Sequence, residues 1–75
     1  MKLFMVEWTD SCSDGGWRPK ENDLSPAHCV TVGFLQFNEE DSIIIAQSKS
    51  DSGNWADRVT IPRGCIIRMR QLKVR

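Results

Sequence analysis

Residues Asp10, Ser11, Cys12, Ser13 and Asp14 are the densest run of reactive side chains in the chain, and Gly15-Gly16-Trp17-Arg18 follows at once. A cysteine becomes a useful nucleophile when a base takes its proton and a third group orients that base. His28 is the sole histidine, and tyrosine is absent. Cys12 with His28 would be the pair, yet no residue pattern supplies an orienting partner or an oxyanion hole. Asp10 and Asp14 offer carboxylate oxygens to a divalent cation, but the remaining ligands of a calcium loop are missing. A zinc site from Cys12, His28, Cys29 and Cys65 would need two sequence neighbours to ligate together. Neighbours on a strand point to opposite faces, which suits one tetrahedral ion badly. The three cysteines are odd in number and show no CxxC spacing, so they read as reduced thiols. Gly15-Gly16 lacks the further glycines and the lysine of a phosphate loop and reads as a hinge. The chain is therefore expected to be non-enzymatic, with no cofactor and no metal.

Binding chemistry is better represented. Trp8 lies on an alternating apolar face and reads as core. Trp17 and Trp55 each follow a glycine-containing turn, where an aromatic either caps the fold or stands in water. An exposed tryptophan beside Asp10, Asp14 and Arg18 would suit a binding hot spot or would stack on a base. Charge is segregated. Residues 1–57 hold four bases against ten acids, net −6, and residues 58–75 carry +6 with no acid. Arg63, Arg68, Arg70 and Lys73 are thus candidate contacts to phosphate or nucleic acid. The same bases could meet an acidic edge of another subunit, or be a solvated strand protected by its charge.

The elements that would position these residues are strands. Lys2–Thr9 alternates, with Phe4, Val6 and Trp8 on one face and Leu3, Met5 and Glu7 on the other. Asp10–Pro26 has no period and forms a long loop, a feature usually tied to function or mobility. His28–Asn38 is a second strand, with Cys29, Thr31, Gly33, Leu35 and Phe37 on one face and a bulge or sharp bend expected at Gly33. Ser42–Ser48 is apolar on both sides. Trp55–Ile61 follows a turn containing Gly53-Asn54. Pro62-Arg63-Gly64 then breaks the pattern, as one turn of 3₁₀ helix. Cys65–Val74 is the last strand, with Ile67 and Met69 on one face and Ile66, Arg68, Arg70 and Leu72 on the other. Five short strands with one long loop imply an all-β small barrel, closed or nearly so.

Length and composition agree. Seventy-five residues allow one domain, 1–75, and a core small enough that oligomerisation would help it. The opening MKLFMVEW carries Glu7 within its apolar run and no cleavage site, so it does not read as a signal peptide. No apolar stretch has transmembrane length. A cytoplasmic location without membrane contact is the expectation.

The long loop after the first strand, the bent second strand, two hairpins and IPRGCI leading into the last strand resemble the Sm-like and Src-homology-type small barrels. VEWTDSC, GW and IPRGCI also resemble short uncharacterised proteins of tailed bacteriophages. That resemblance implies a five-stranded barrel, a viral origin, residence in the host cytoplasm and no activity to carry over. Sm-like barrels commonly form rings by edge pairing, which implies a homo-oligomer. The sequence thus points to a phage accessory protein that binds a host protein or a nucleotide signal of host defence. The contact residues would be Asp10, Asp14, Trp17, Arg18 and Trp55. A nucleic-acid-binding barrel and a minor virion component are the alternatives.

Overall fold

A computed structural model describes residues 2–10, 17 and 26–73. Five strands account for most of them: β1 (Leu3–Asp10), β2 (Ala27–Asn38), β3 (Ser42–Lys49), β4 (Trp55–Pro62) and β5 (Ile66–Leu72). They form one antiparallel sheet in the order β4-β3-β2-β1-β5. The expected all-β, five-stranded architecture is present. Among the described residues no β4–β5 ladder closes the sheet.

The turns follow from their residues. Asn38-Glu39-Glu40-Asp41 makes a tight reversal closed by Glu39 N–H donating to the Ser42 carbonyl at 2.9 Å. Ser50–Asn54 makes the next, where Gly53 takes φ +90° at no steric cost and donates to the Ser50 carbonyl at 3.0 Å. The Ser50 hydroxyl accepts from Asn54 N–H at 3.0 Å and so holds the turn closed. Arg63–Cys65 is the 3₁₀ turn between β4 and β5.

β2 belongs to two layers. Its first part, Ala27–Phe34, pairs with β1, whereas its pairing with β3 runs only from Phe34 to Asn38. The change comes at Gly33. A Cβ there would lie 2.6 Å from the Ala46 carbonyl oxygen and 2.7 Å from Ile45 Cγ2. Only glycine lets β3 approach so closely, and the strand bends across it. Gly33 itself stays in register with Phe4, so the bend is not a bulge.

The curl is strong enough to bring distant strands together. Val6, Ile43, Ile45 and Ile61 are fully buried in one cluster, although β1 and β4 lie three places apart in the sheet. Each such burial contributes about 1.5–3 kcal/mol. Phe4, Trp8, Leu35, Val59, Cys65, Ile66 and Met69 pack around them. The connection from β4 to β5 shows the same curl. Pro62 lies opposite Ser42 at one end of the sheet and Ile66 opposite Trp8 at the other, with three residues between them. Such a link reaches at most about 14 Å, so the sheet must roll until those corners meet.

Two bulges correct the simple alternation. Leu35 pairs with Ile45, but Phe37 pairs with Ile44, so the extra residue Gln36 turns Phe37 to the outer surface. Phe37 therefore does not share the face of Leu35. Glu7 pairs with Arg68 and Trp8 with Ile66, leaving Ile67 as the bulged residue. Ile66 joins the core with Met69, and Ile67 is exposed, the reverse of the expected assignment. One inserted residue flips every later side chain to the other face.

Candidate functional site

Trp17, Trp8 and Trp55 have different surroundings. Trp8 packs on the core, and its indole N–H donates to the Thr31 hydroxyl at 2.9 Å. The two residues are neighbours on the inner face, since Val6 pairs with Thr31 and Trp8 with Cys29. Trp55 opens β4 opposite Lys49, is half-buried, and has the Lys49 ammonium 5.5 Å from its ring centroid. That cation–π contact gives its face an intramolecular use. Trp17 is 99% exposed. Asp10 ends β1 opposite Ala27 and is exposed. Asp14 and Arg18 lie outside the described residues, as does Cys12, so their arrangement about Trp17 is not part of the geometry.

The four candidate phosphate contacts divide into two pairs. Arg63 is already engaged: its Nε donates to the Glu39 carbonyl at 2.9 Å, its Nη2 donates to Asn38 Oδ1, and its backbone N–H donates to the Asp41 carbonyl at 2.9 Å. The guanidinium clasps the β2–β3 turn to the 3₁₀ turn. Arg68 meets Glu7 across the β1–β5 ladder, Nη2 to Oε1 at 2.5 Å. The charge-assisted hydrogen bond from Arg68 holds the Glu7 carboxyl below its usual value of 4.5, partly opposed by desolvation, with His28 adding a smaller pull. His28 Nε2 stands 3.7 Å from Glu7 Oε2 on that outer face. Arg70 sits opposite Met5 and Lys73 follows β5; both are exposed, without an acidic partner among the described residues.

Chemistry-bearing clusters are sparse. Among the described residues no group of three His, Cys, Asp or Glu could hold a metal ion. His28 reaches toward Glu7, whereas Cys29 Sγ turns back to the Ala27 carbonyl at 3.7 Å, in keeping with opposite faces. Cys29 and Cys65 are free, half-buried thiols. No described helix is long and apolar enough to cross a membrane.

Sequence reasoning missed two features. Asp57 holds φ +55° in mid-β4, where Ala46–Arg58 and Ser48–Ala56 are paired and the position between them is not. Aspartate tolerates that conformation better than most residues, but nothing in the local sequence announces it. The second is the run Ala27–Val32, without Asp, Glu, Lys, Arg or Pro, whose Val30 and Val32 are 60% and 43% exposed. Its lack of Asp, Glu, Lys, Arg and Pro was readable; that β3 would leave it uncovered was not.

No family model, no curated protein sequence and no solved structure matches this chain.

Proposed function

We propose that the protein is a non-enzymatic binding module in which a rolled sheet presents Trp17 to a protein partner. The exposure of Trp17 carries this reading. Burying an aromatic side chain removes about 150–250 Å² from water, worth about 4–6 kcal/mol at the usual apolar coefficient. The chain forgoes that gain at Trp17 while its other two tryptophans are engaged, so a partner can collect it. Tryptophan is also the residue type most enriched among interface hot spots.

Several observations support the framework. The sheet order, the bend at Gly33 and the three-residue link from β4 to β5 suit closure as a small barrel of the Sm or Src-homology type. With the phage origin that the sequence resemblance implies, the partner is a host protein and the site of action the host cytoplasm. A phosphate-bearing ligand is less well served. Arg63 and Arg68 are occupied within the chain, leaving Arg70 and Lys73 as separate exposed cations.

The test compares wild type with Trp17→Ala by affinity capture from host extract and then by calorimetry with the purified captured protein. The expected result is a loss of roughly 30-fold to 1,000-fold in affinity for the variant, about 2–4 kcal/mol, with an unchanged circular dichroism spectrum. Equal affinity of the two proteins overturns the reading. Binding to single-stranded nucleic acid that falls steeply with salt would replace it by the nucleic-acid alternative.

A further inference from the structure

We propose that the first half of β2 is the interface of a homodimer, in which two copies pair antiparallel along residues 27–32 and join their sheets. This inference does not rest on the role of Trp17.

The backbone geometry supplies the slot. Leu35 N–H donates to the carbonyl of Lys2, the residue just before β1, at 2.9 Å. Backbone directions alternate along a strand, so Gly33, Thr31, Cys29 and Ala27 point toward β1. Val32, Val30 and His28 point the other way, toward the side that β3 occupies beyond Phe34. β3 pairs with β2 only from Phe34 on. The Val30 and His28 amides and carbonyls therefore take no ladder partner among the described residues. Gln47 shows that this direction is open: its Nε2 reaches from β3 to the Val32 carbonyl at 2.7 Å. A side chain there does what a paired strand would otherwise do.

The choice of occupant follows from how the edges are guarded. Strands that must stay single carry charges, proline or bulges. β4 does, with Arg58, Pro62 and the left-handed Asp57. β5 does, with Arg68, Arg70, Lys73 following it, and the bulge at Ile67. The stretch Ala27-His28-Cys29-Val30-Thr31-Val32 has none of these, and it is rich in β-branched residues. A twofold axis near Val30 sets an uncharged edge against its own copy. No like charges face each other directly: Val30 meets Val30 of the second copy, and Val32 meets its His28. A charged peptide would find no complementary charge on this edge. The 75-residue chain, with four fully buried side chains in the core cluster of the described residues, also belongs to the size range that association often stabilises.

Val30→Lys tests this cleanly, because Val30 makes no ladder bond to β1 and its side chain is largely in solvent. Sedimentation velocity over a hundredfold range of concentration should give wild type at twice the 8.6 kDa chain mass. Val30→Lys should sediment at the single-chain mass with an unchanged circular dichroism spectrum. As a second variant, Val30→Pro removes the outward N–H that the paired edge needs and should also be monomeric. Wild type that stays monomeric at millimolar concentration overturns the proposal, as does a Val30→Lys protein that still dimerises. A mass above two chains overturns it as well and assigns assembly to ring pairing of β4 with β5. Trp17→Ala should keep the dimer mass, so failure here and failure of the Trp17 reading remain distinguishable.

Discussion

Replacing Gly33 with alanine tests the bend that makes the fold possible. The added Cβ would sit 2.6 Å from the Ala46 carbonyl oxygen and 2.7 Å from Ile45 Cγ2. Neither neighbour can yield cheaply. The oxygen is backbone in the register pair Phe34–Ala46, and Ile45 is fully buried. The strands must part or β2 must straighten, an overpacking cost of about 1–3 kcal/mol. Alanine returns about 0.5–1 kcal/mol through the lower entropy of its unfolded chain. The net loss centres on about 1 kcal/mol and reaches about 2.5 kcal/mol if the strands cannot yield; each kcal/mol lowers the thermal midpoint of a domain this size by roughly 4–8 °C. Urea unfolding followed by tryptophan fluorescence should show a lower midpoint at an unchanged slope. Gly64→Ala is the control: its Cβ would meet nothing within 4 Å, so its effect should stay within about 0.5 kcal/mol. A Gly33→Ala protein as stable as wild type would refute the close approach of β2 and β3.

Two further outcomes follow from single residues. Asp57 holds φ +55°, a conformation that costs a side-chain-bearing residue about 1–2 kcal/mol. Asp57→Gly should therefore raise the urea midpoint and Asp57→Val should lower it; the opposite order would exclude backbone strain at this position. Glu7 has a carboxyl pKa depressed by Arg68, so its contribution to stability is present above its usual value of 4.5 and is lost as pH falls through the lower folded value. Thermal midpoints measured from pH 6 down to pH 2 should drop more steeply for wild type than for Glu7→Gln. Parallel curves would show that the Glu7–Arg68 pair does not persist in solution.

Much of the scaffold was legible because alternation and turn residues are local signals. The five strands, the Gly53 turn, the 3₁₀ turn after Pro62 and the inward Trp8 all follow from neighbours within a few positions. Phe37 and Ile66 were misassigned for a physical reason. Each lies beyond an extra residue, and a one-residue slip inverts the face while leaving the apolar count unchanged. The partners of the cations were illegible for another reason. Glu7 and Arg68 are 61 residues apart, and Arg63 reaches back 25 residues to Asn38. Only the pairing of strands brings them together. Of the site, the exposed Trp17 was one of two readings that the turn composition left open.

Those long-range pairings also change the meaning of the charge segregation. Taken along the chain, a −6 region followed by a +6 region suggests a positive face awaiting an anionic partner. In the fold, β5 lies beside β1, and Arg68 finds Glu7 there. Arg63 is satisfied by carbonyls and an amide of the β2–β3 turn, and Arg58 lies 3.5 Å from Gln36 Oε1. Three of the five described bases after Asp57 thus have partners inside the chain. They fix β5 and the 3₁₀ turn against strands distant in sequence, where no closing ladder does so among the described residues. Exposed surface pairs contribute little each, but they are directional and oppose slippage of a strand whose register the bulge at Ile67 already disturbs. The exposed apolar surface available for recognition comprises, among the described residues, Trp17, Val30, Val32, Phe37 and Ile67. Part of the segregated charge is thus used inside the fold, by Arg68 on Glu7, while Arg70 and Lys73 stay exposed without an acidic partner among the described residues.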